Sequence, residues 1–397
     1  MTNKYEIVVI GAGPGGLMLA YLMAKAGRKV AILEMTSERK RRVCGEYLCP
    51  QGVKLLEGHG ILEQLTKGFL PLRGMTISNT SNLQLKTYFP RREGKDWWGL
   101  SLNRQIFEEH FLSLCKQLGV AVFEGTSFKQ IDQHTASSVV IKCQEGEIFE
   151  SSLLVGADGR RSKVAQAIGL LPKDRGYLGG RVALHTLVTP QIEMERLGEM
   201  HIFSDGSYIG LDPINEKELN VSLVTDSANV VVYKGGQKTL EHYVDLSPEL
   251  RHKIGSIKST QKVFSVAPLT NPMKNIFQGR VVLVGDAAGF LDPLTGEGIF
   301  NALWMANTLA QELKEINLNL NISIRNALKK YERKKRRFFN NKNRINHFFQ
   351  WLIQRPWAVS IVGRFLLRKK NRPNHFIGII GNIYSPLKGV FKVLFSS

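Results

Sequence analysis

The sequence predicts an α/β fold: a parallel sheet wrapped by helices, interrupted by an antiparallel sheet and followed by a basic helical tail. Three observations carry this. Apolar runs of strand length lead straight into glycine turns and helices at three places, Tyr5–Gly27, Leu153–Val164 and Arg280–Leu303. From about Tyr177 to Ala267 the pattern changes to short alternating segments such as YIGLDPI and ELNVSLVTD, the mark of an antiparallel sheet. From Arg325 to Ser397 eighteen Lys/Arg stand against one acid, Glu332, so the tail supplies +17 of the net charge of +20.

Taken in order, Tyr5–Ile10 reads as a buried parallel strand because Ile7 to Ile10 is a continuous β-branched run. It ends in a glycine turn. A helix follows from Pro14 to about Ala26, with proline in its first turn and Gly27 as its stop. Lys29–Glu34 is the second strand. Asn103–Leu118 is a helix stopped by Gly119, and Val120–Gly125 is the strand after it. Residues 127–154 alternate like one antiparallel hairpin with Glu145-Gly146-Glu147 near its tip. Leu153–Gly156 is a further strand into a turn, and the parallel pattern returns at Arg280. A discontinuous first domain is expected, 1–70, 99–175 and 268–325. Residues 71–98 and 176–267 would form the inserted sheet, and 326–397 the tail.

A hydrophobic content of 43% over 397 residues suits a globular chain with a sizeable core. Cys44, Cys49, Cys115 and Cys143 show no metal-ligand spacing and too little density for a disulfide scaffold. No apolar run reaches the roughly 18 to 20 residues that span a bilayer. No secretory leader precedes the first strand, so a reducing, cytoplasmic setting is expected.

In the tail, Phe338, Ile345, Phe348, Phe349, Leu352 and Ile353 recur at helical spacing, as do Val362, Phe365 and Leu366. Two readings stand. The helices cap the core and expose a basic face, or residues 338–397 form a peripheral anchor on the anionic inner face of a membrane. No nucleic-acid module accompanies the charge, so nucleic acid is not the expected partner.

In Gly11-Ala12-Gly13-Pro14-Gly15-Gly16 the glycines at 11, 13 and 16 form the dinucleotide fingerprint of a Rossmann-like fold. The first permits the tight turn, the second lets backbone approach a pyrophosphate, and the third lets helix and strand pack closely. The helix N-terminus behind them offers free N–H groups to phosphate. Glu34, ending the second strand, is placed to accept ribose hydroxyls. No Ser-His-Asp or metal constellation is present.

LLVGADGRRSKV, Leu153–Val164, and GRVVLVGDAAGFLDPLTGEGI, Gly279–Ile299, resemble the two internal signatures of the FAD-dependent aromatic hydroxylase (group A flavoprotein monooxygenase) and geranylgeranyl reductase superfamily. That resemblance implies an FAD-binding domain of the glutathione-reductase type with an inserted substrate domain. It implies that Asp286 binds ribityl or ribose hydroxyls, and that Gly296, Glu297, Gly298 and Ile299 open a helix facing the flavin pyrimidine. Asp158 and Gly159 would shape the cofactor site, and Arg104 would reach the FAD phosphates. Cys44-Gly45 resembles a pair that lies beside the flavin in the reductase branch, so Cys44 is either the catalytic candidate or a buried small apolar residue. The chain departs from that branch with CGE in place of CGG, and with GLDP where an aromatic-Trp-aromatic-Pro run is usual.

The implied activity is FAD-dependent oxidoreduction with NADH or NADPH as reductant. Hydroxylation of an aromatic, polyketide-like or lipophilic substrate stands first and reduction of isoprenoid double bonds second. Halogenation comes behind them, because DWWGLSL at Asp96 does not match the Trp-x-Trp-x-Ile-Pro spacing. A non-catalytic binding protein on this fold is the reading from another class.

Overall fold

The computed structural model describes residues 2–39, 45–65, 69–81, 83–92, 94–171, 180–257, 262–271, 273–290, 294 and 296–395. Five strands run parallel in the order Val281–Leu283, Ile148–Gly156, Thr2–Ile10, Val30–Glu34 and Ala121–Glu124, and Phe277–Gln278 adds an antiparallel edge. Ile10 is level with Gly156, and Gly156 with Leu283. Three distant pieces of chain therefore end side by side and enter their turns at one edge. In open parallel sheets the crevice beyond the carboxyl ends of the strands is where ligands bind. The strands reach this register because Ile7, Val8, Val9, Leu153, Leu154, Val155, Val281 and Val282 are all fully buried.

Two expectations need correction. Residues 127–154 are not one hairpin but a meander, Phe128–His134, Val139–Cys143 and Ile148–Gly156. Its third strand continues into the one read separately at Leu153, since the first half pairs with Val139–Cys143 and the second with Val281–Leu283. The stretch read as all strand also holds three helices, Ser227–Val232, Gly236–Asp245 and Pro248–Ile254. Their signals are local. Asp226 and Ser247 cap the N–H groups of Ala228 and Leu250, and Pro248 opens the third.

The second sheet has seven strands in the order Phe264–Val266, Arg181–Val188, Leu219–Asp226, Tyr208–Pro213, Gly198–Ile202, Gly74–Asn79 and Gln84–Tyr88. The last two come from 71–98. One face, with Ile209, Leu211 and Leu223, packs on Leu240, Val244 and Leu250 of the short helices. The other, with Ala183, Ile202, Tyr208 and Val224, meets Phe349, Leu352, Ile353 and Val359 of the tail. A third, small sheet is formed by Tyr47–Leu48, Gly99–Leu102 and Phe69–Leu72.

The tail forms the helices Asn321–Ile353, Pro356–Leu367, Arg372–Ile380 and Pro386–Phe395. The expected division after residue 325 falls inside the first. That helix is bolted to the parallel sheet: Tyr331 Oη donates to Leu283 O at 3.0 Å, and Lys335 Nζ to Ala288 O at 2.7 Å. Phe349, Leu352, Ile353 and Leu366 are buried, Phe338, Ile345, Val362 and Phe365 half-buried, and Phe348 exposed. No helix among the described residues is long and apolar enough to cross a membrane.

Candidate active site

One cavity of about 680 Å³ gathers the three turns. Gly11, Gly13, Pro14, Gly15, Glu34, Gly45, Arg104, Asp158, Gly159, Asp286, Gly296, Gly298 and Ile299 all line it. One sequence-predicted residue among those described does not. Gly16 sits behind the turn, where a Cβ would lie 2.1 Å from Gly11 O. Cys44 lies outside the described residues.

The first turn needs its glycines for different reasons. Gly11 has φ +99°, and a Cβ there would come within 2.6 Å of Ala157 O. At Gly13 nothing approaches closer than Arg104 Nη2 at 3.9 Å, so this glycine opens onto the cavity. Gly13 is also the N-cap of helix Pro14–Lys25 and makes no side-chain cap. The helix therefore presents unpaired N–H groups and its positive dipole end to the cavity. An open cradle at an uncapped helix N-terminus fits the pyrophosphate of FAD.

Glu34 is buried and accepts Ala12 N at 2.8 Å and Thr36 Oγ1 at 2.9 Å. It thus braces the turn while facing the cavity, and a carboxylate has about four acceptor positions to share. Arg104 Nε is held by Glu108 Oε1 at 2.8 Å. The other oxygen of Glu108 takes Arg39 Nη1 at 3.1 Å, and Arg39 also donates to Ala12 O at 2.9 Å. Sequence reasoning missed Arg39. Arg39 stands in the basic run SERKRR after the second strand, which carries no motif of its own. Arg39 Nε and Nη2 are buried without a partner among the described residues, beside the phosphate turn.

Asp158 turns out to have a scaffolding job. Its carboxylate accepts Ser162 Oγ at 2.6 Å and Val164 N at 3.2 Å, tying down the start of helix Lys163–Ala167. Burial nonetheless pushes its pKa up. Asp286 faces the cavity. Burial raises it too, while Arg160, 3.8 Å away, and Arg104 pull it down. Arg160, the residue after the DG pair, is a second cation that sequence reasoning did not single out. Gly296 has φ +65°, and a Cβ there would meet Tyr47 at 2.8 Å. Helix Gly298–Leu313 begins without a side-chain cap, so its first N–H groups open into the cavity. Glu297 is anchored by Lys342 Nζ at 2.8 Å and by the Asn382 amide. The tail thus helps to hold this turn.

Beyond the turns the same cavity runs between the seven-stranded sheet and the tail. Its floor is the sheet face carrying Met200, Ile202, Tyr208, Gly210 and Asp212; its roof is Phe349, Leu352, Val359, Val362, Leu366 and Ile379. Cys49 is fully buried behind the cavity lining, and burial raises its thiol to about 12, so it stays protonated.

The sequence pattern of the FAD binding domain matches residues 4–341. The chain belongs to the FAD-binding domain family. This FAD-dependent oxidoreductase is 24% identical over 342 residues to the digeranylgeranylglycerophospholipid reductase of Methanocaldococcus jannaschii, over 84% of this chain and 83% of that protein. It is also 24% identical over 316 residues to conditioned medium factor receptor 1 of Dictyostelium discoideum, over 75% of this chain. There the match spans 61% of the relative's length. The solved geranylgeranyl bacteriochlorophyll reductase-like protein of Thermoplasma acidophilum shares the fold, with a TM-score of 0.77 at 20% identity, over 100% of this chain and 97% of that one. The resemblance read from three motifs is borne out.

Proposed function

We propose that this FAD-dependent oxidoreductase saturates carbon–carbon double bonds in a long apolar lipid of isoprenoid type, with NADH or NADPH as reductant. The observation that carries the reading is the shape and lining of the cavity. It runs from the cofactor turns into a chamber walled by aliphatic and aromatic side chains of the sheet and the tail. An apolar chain threaded between Met200, Ile202, Val362 and Leu366 would release water from both surfaces, which supplies binding without any charged contact.

Hydride chemistry is the contribution of FAD when bound. The chain's own residues hold it and keep water out. The uncapped helix ends behind Gly13 and at Gly298 would face its phosphates and its ring, and Asp286 and Arg104 its polar middle. The roof helices cover the chamber on the side facing the sheet.

The tail also supports delivery from an anionic membrane surface. Helix Pro386–Phe395 turns Leu387, Val390, Phe391, Leu394 and Phe395 outward. Trp351, Trp357 and Ile361 are exposed near Arg355, Arg364 and Arg368. Large apolar groups rimmed by cations suit a headgroup interface. Helix Pro356–Leu367 faces the chamber with Val362 and Leu366 and the outside with Trp357 and Ile361, so one helix would separate lipid surface from site.

Incubating the FAD-loaded protein with NADPH or NADH and a geranylgeranylglyceryl phosphate, then weighing the product, tests this. A gain of two hydrogens per double bond is expected. A gain of one oxygen in air would instead establish the hydroxylation expected first from the motifs.

A further inference from the structure

Strand Tyr208–Pro213 reads Tyr-Ile-Gly-Leu-Asp-Pro, with glycine and aspartate where the resembling family carries bulky aromatics. The structure gives these departures a location. Alternate residues of a strand share a face, and Tyr208, Gly210 and Asp212 line the chamber while Ile209 and Leu211 pack in the opposite core. Gly198, on the neighbouring strand, leaves room for the acid: a Cβ there would stand 3.1 Å from Asp212 Oδ1. Asp212 is enclosed by protein, and what surface it keeps faces the chamber.

A second observation points to the same spot. The Tyr47 hydroxyl is buried, lines the chamber, and has no hydrogen-bond partner among the described residues. Its ring lies against Gly296, so Tyr47 stands between the Gly296–Gly298 turn and Asp212, with which it interacts electrostatically. Hydroxyls are rarely buried unpaired, and one that is calls for a partner.

We propose that Asp212 is the proton donor of the chamber, its proton reaching the substrate through a water that Tyr47 Oη, unpartnered among the described residues, would hold. This rests on the double-bond reduction proposed above. The π bond of the substrate breaks; a hydride originating from NADH or NADPH bonds one carbon with both electrons, and the proton bonds its neighbour. Asp212 is left as a carboxylate and regains its proton from water. Asp158 and Asp286 share the cavity and are also raised by burial, but Asp158 is tied to Ser162 and Val164 N and Asp286 faces Arg160. Burial pushes Asp212 up to about 8, and the charges of Glu46 and Glu199 push the same way. Glu199 itself is opposed by burial, but His201 at 2.8 Å and Lys253 at 2.7 Å outweigh it and keep it ionised. Behind Tyr47 lie the Cys49 thiol and Glu297, the latter paired with Lys342. No Lys or Arg among the described residues pairs with Asp212. A donor works best with its pKa near the working pH.

Infrared spectra of the FAD-loaded full chain without substrate should show a protonated-carboxyl band that fades as pH rises through about 8. The band should be missing in Asp212→Asn. With the geranylgeranylglyceryl phosphate probe, Asp212→Asn is expected to slow double-bond reduction at least about 100-fold. FAD content and the rate at which NADPH or NADH bleaches the flavin should stay unchanged, and Asp212→Glu should recover part of the rate. Tyr47→Phe should slow turnover while keeping the band. Wild-type protein that reduces the probe alongside an equally active Asp212→Asn overturns the proton donor alone, as does a wild type without the band. A wild type that shows the band yet leaves the double bonds intact overturns the reductase reading, and the donor role with it.

Discussion

Gly13 and Gly16 stand three residues apart and should fail differently. A methyl at Gly16 would collide with Gly11 O at 2.1 Å, forcing helix from strand. Overpacking of this kind typically costs about 1 to 3 kcal/mol. Gly16→Ala is therefore expected to lower the Tm even without cofactor. Gly13→Ala has room, so its Tm without cofactor should match wild type while FAD binds more weakly. Thermal melts and FAD titrations of both variants check this. The fingerprint was legible because such demands are local to a turn. The chamber-facing role of Asp212 was not, because a strand's two faces are assigned by register, and register belongs to the neighbours.

Lys335 offers a residue-scale test with a defined sign. Burial under the turn after Val281–Leu283 lowers its pKa from 10.5 to about 8, against the attraction of Glu332. Between those values the unfolded chain holds more protons than the folded one, so stability should rise with pH across that window. Lys335→Met should remove that part of the rise. Melting both proteins from pH 7 to 11 reads the difference, and parallel curves would show that the lysine is not buried beneath the turn.

At the scale of elements the tail is both roof and outer surface. Removing 338–397 would strip Phe339, Phe349, Leu352 and Ile353 from the core, and an insoluble product is expected. Point changes separate the two jobs better. Leu387→Glu with Phe391→Glu alters residues 86% and 63% exposed. The double variant should keep the wild-type Tm and lose most of its sedimentation with anionic liposomes; unchanged sedimentation would count against a membrane-facing role. Periodicity revealed the tail's helices, since Phe349, Leu352 and Ile353 repeat at helical spacing. It could not say which apolar stripe faces inward, because the last helix buries Gly389 and Val393 and exposes its larger residues. The helices between Ser227 and Ile254 were lost for another reason: short capped helices inside a strand-rich stretch leave few turns of periodicity.

At the scale of the molecule, one cavity joins a cofactor groove at the ends of parallel strands to an apolar chamber under the tail. The groove could be read in sequence, since three strand–turn motifs each announce a place at the sheet edge. The chamber could not, because its floor at Met200–Asp212 and its roof from Phe349 onward lie more than 100 residues apart in the chain. Gly210 sets its depth: the nearest atoms to a Cβ there are 3.9 Å away. Gly210→Trp should therefore fold and bind FAD, yet fill the chamber and abolish turnover of the long lipid; full activity in that variant would show the chain runs elsewhere.

Flavin stoichiometry tests the joint grip of the turns at Gly11, Asp158 and Asp286 most directly. The purified chain is reconstituted with FAD, freed of excess, denatured, and the released flavin is identified and counted. One FAD per chain is expected. A colourless protein that releases none after reconstitution would contradict the convergence of those turns on a single cofactor.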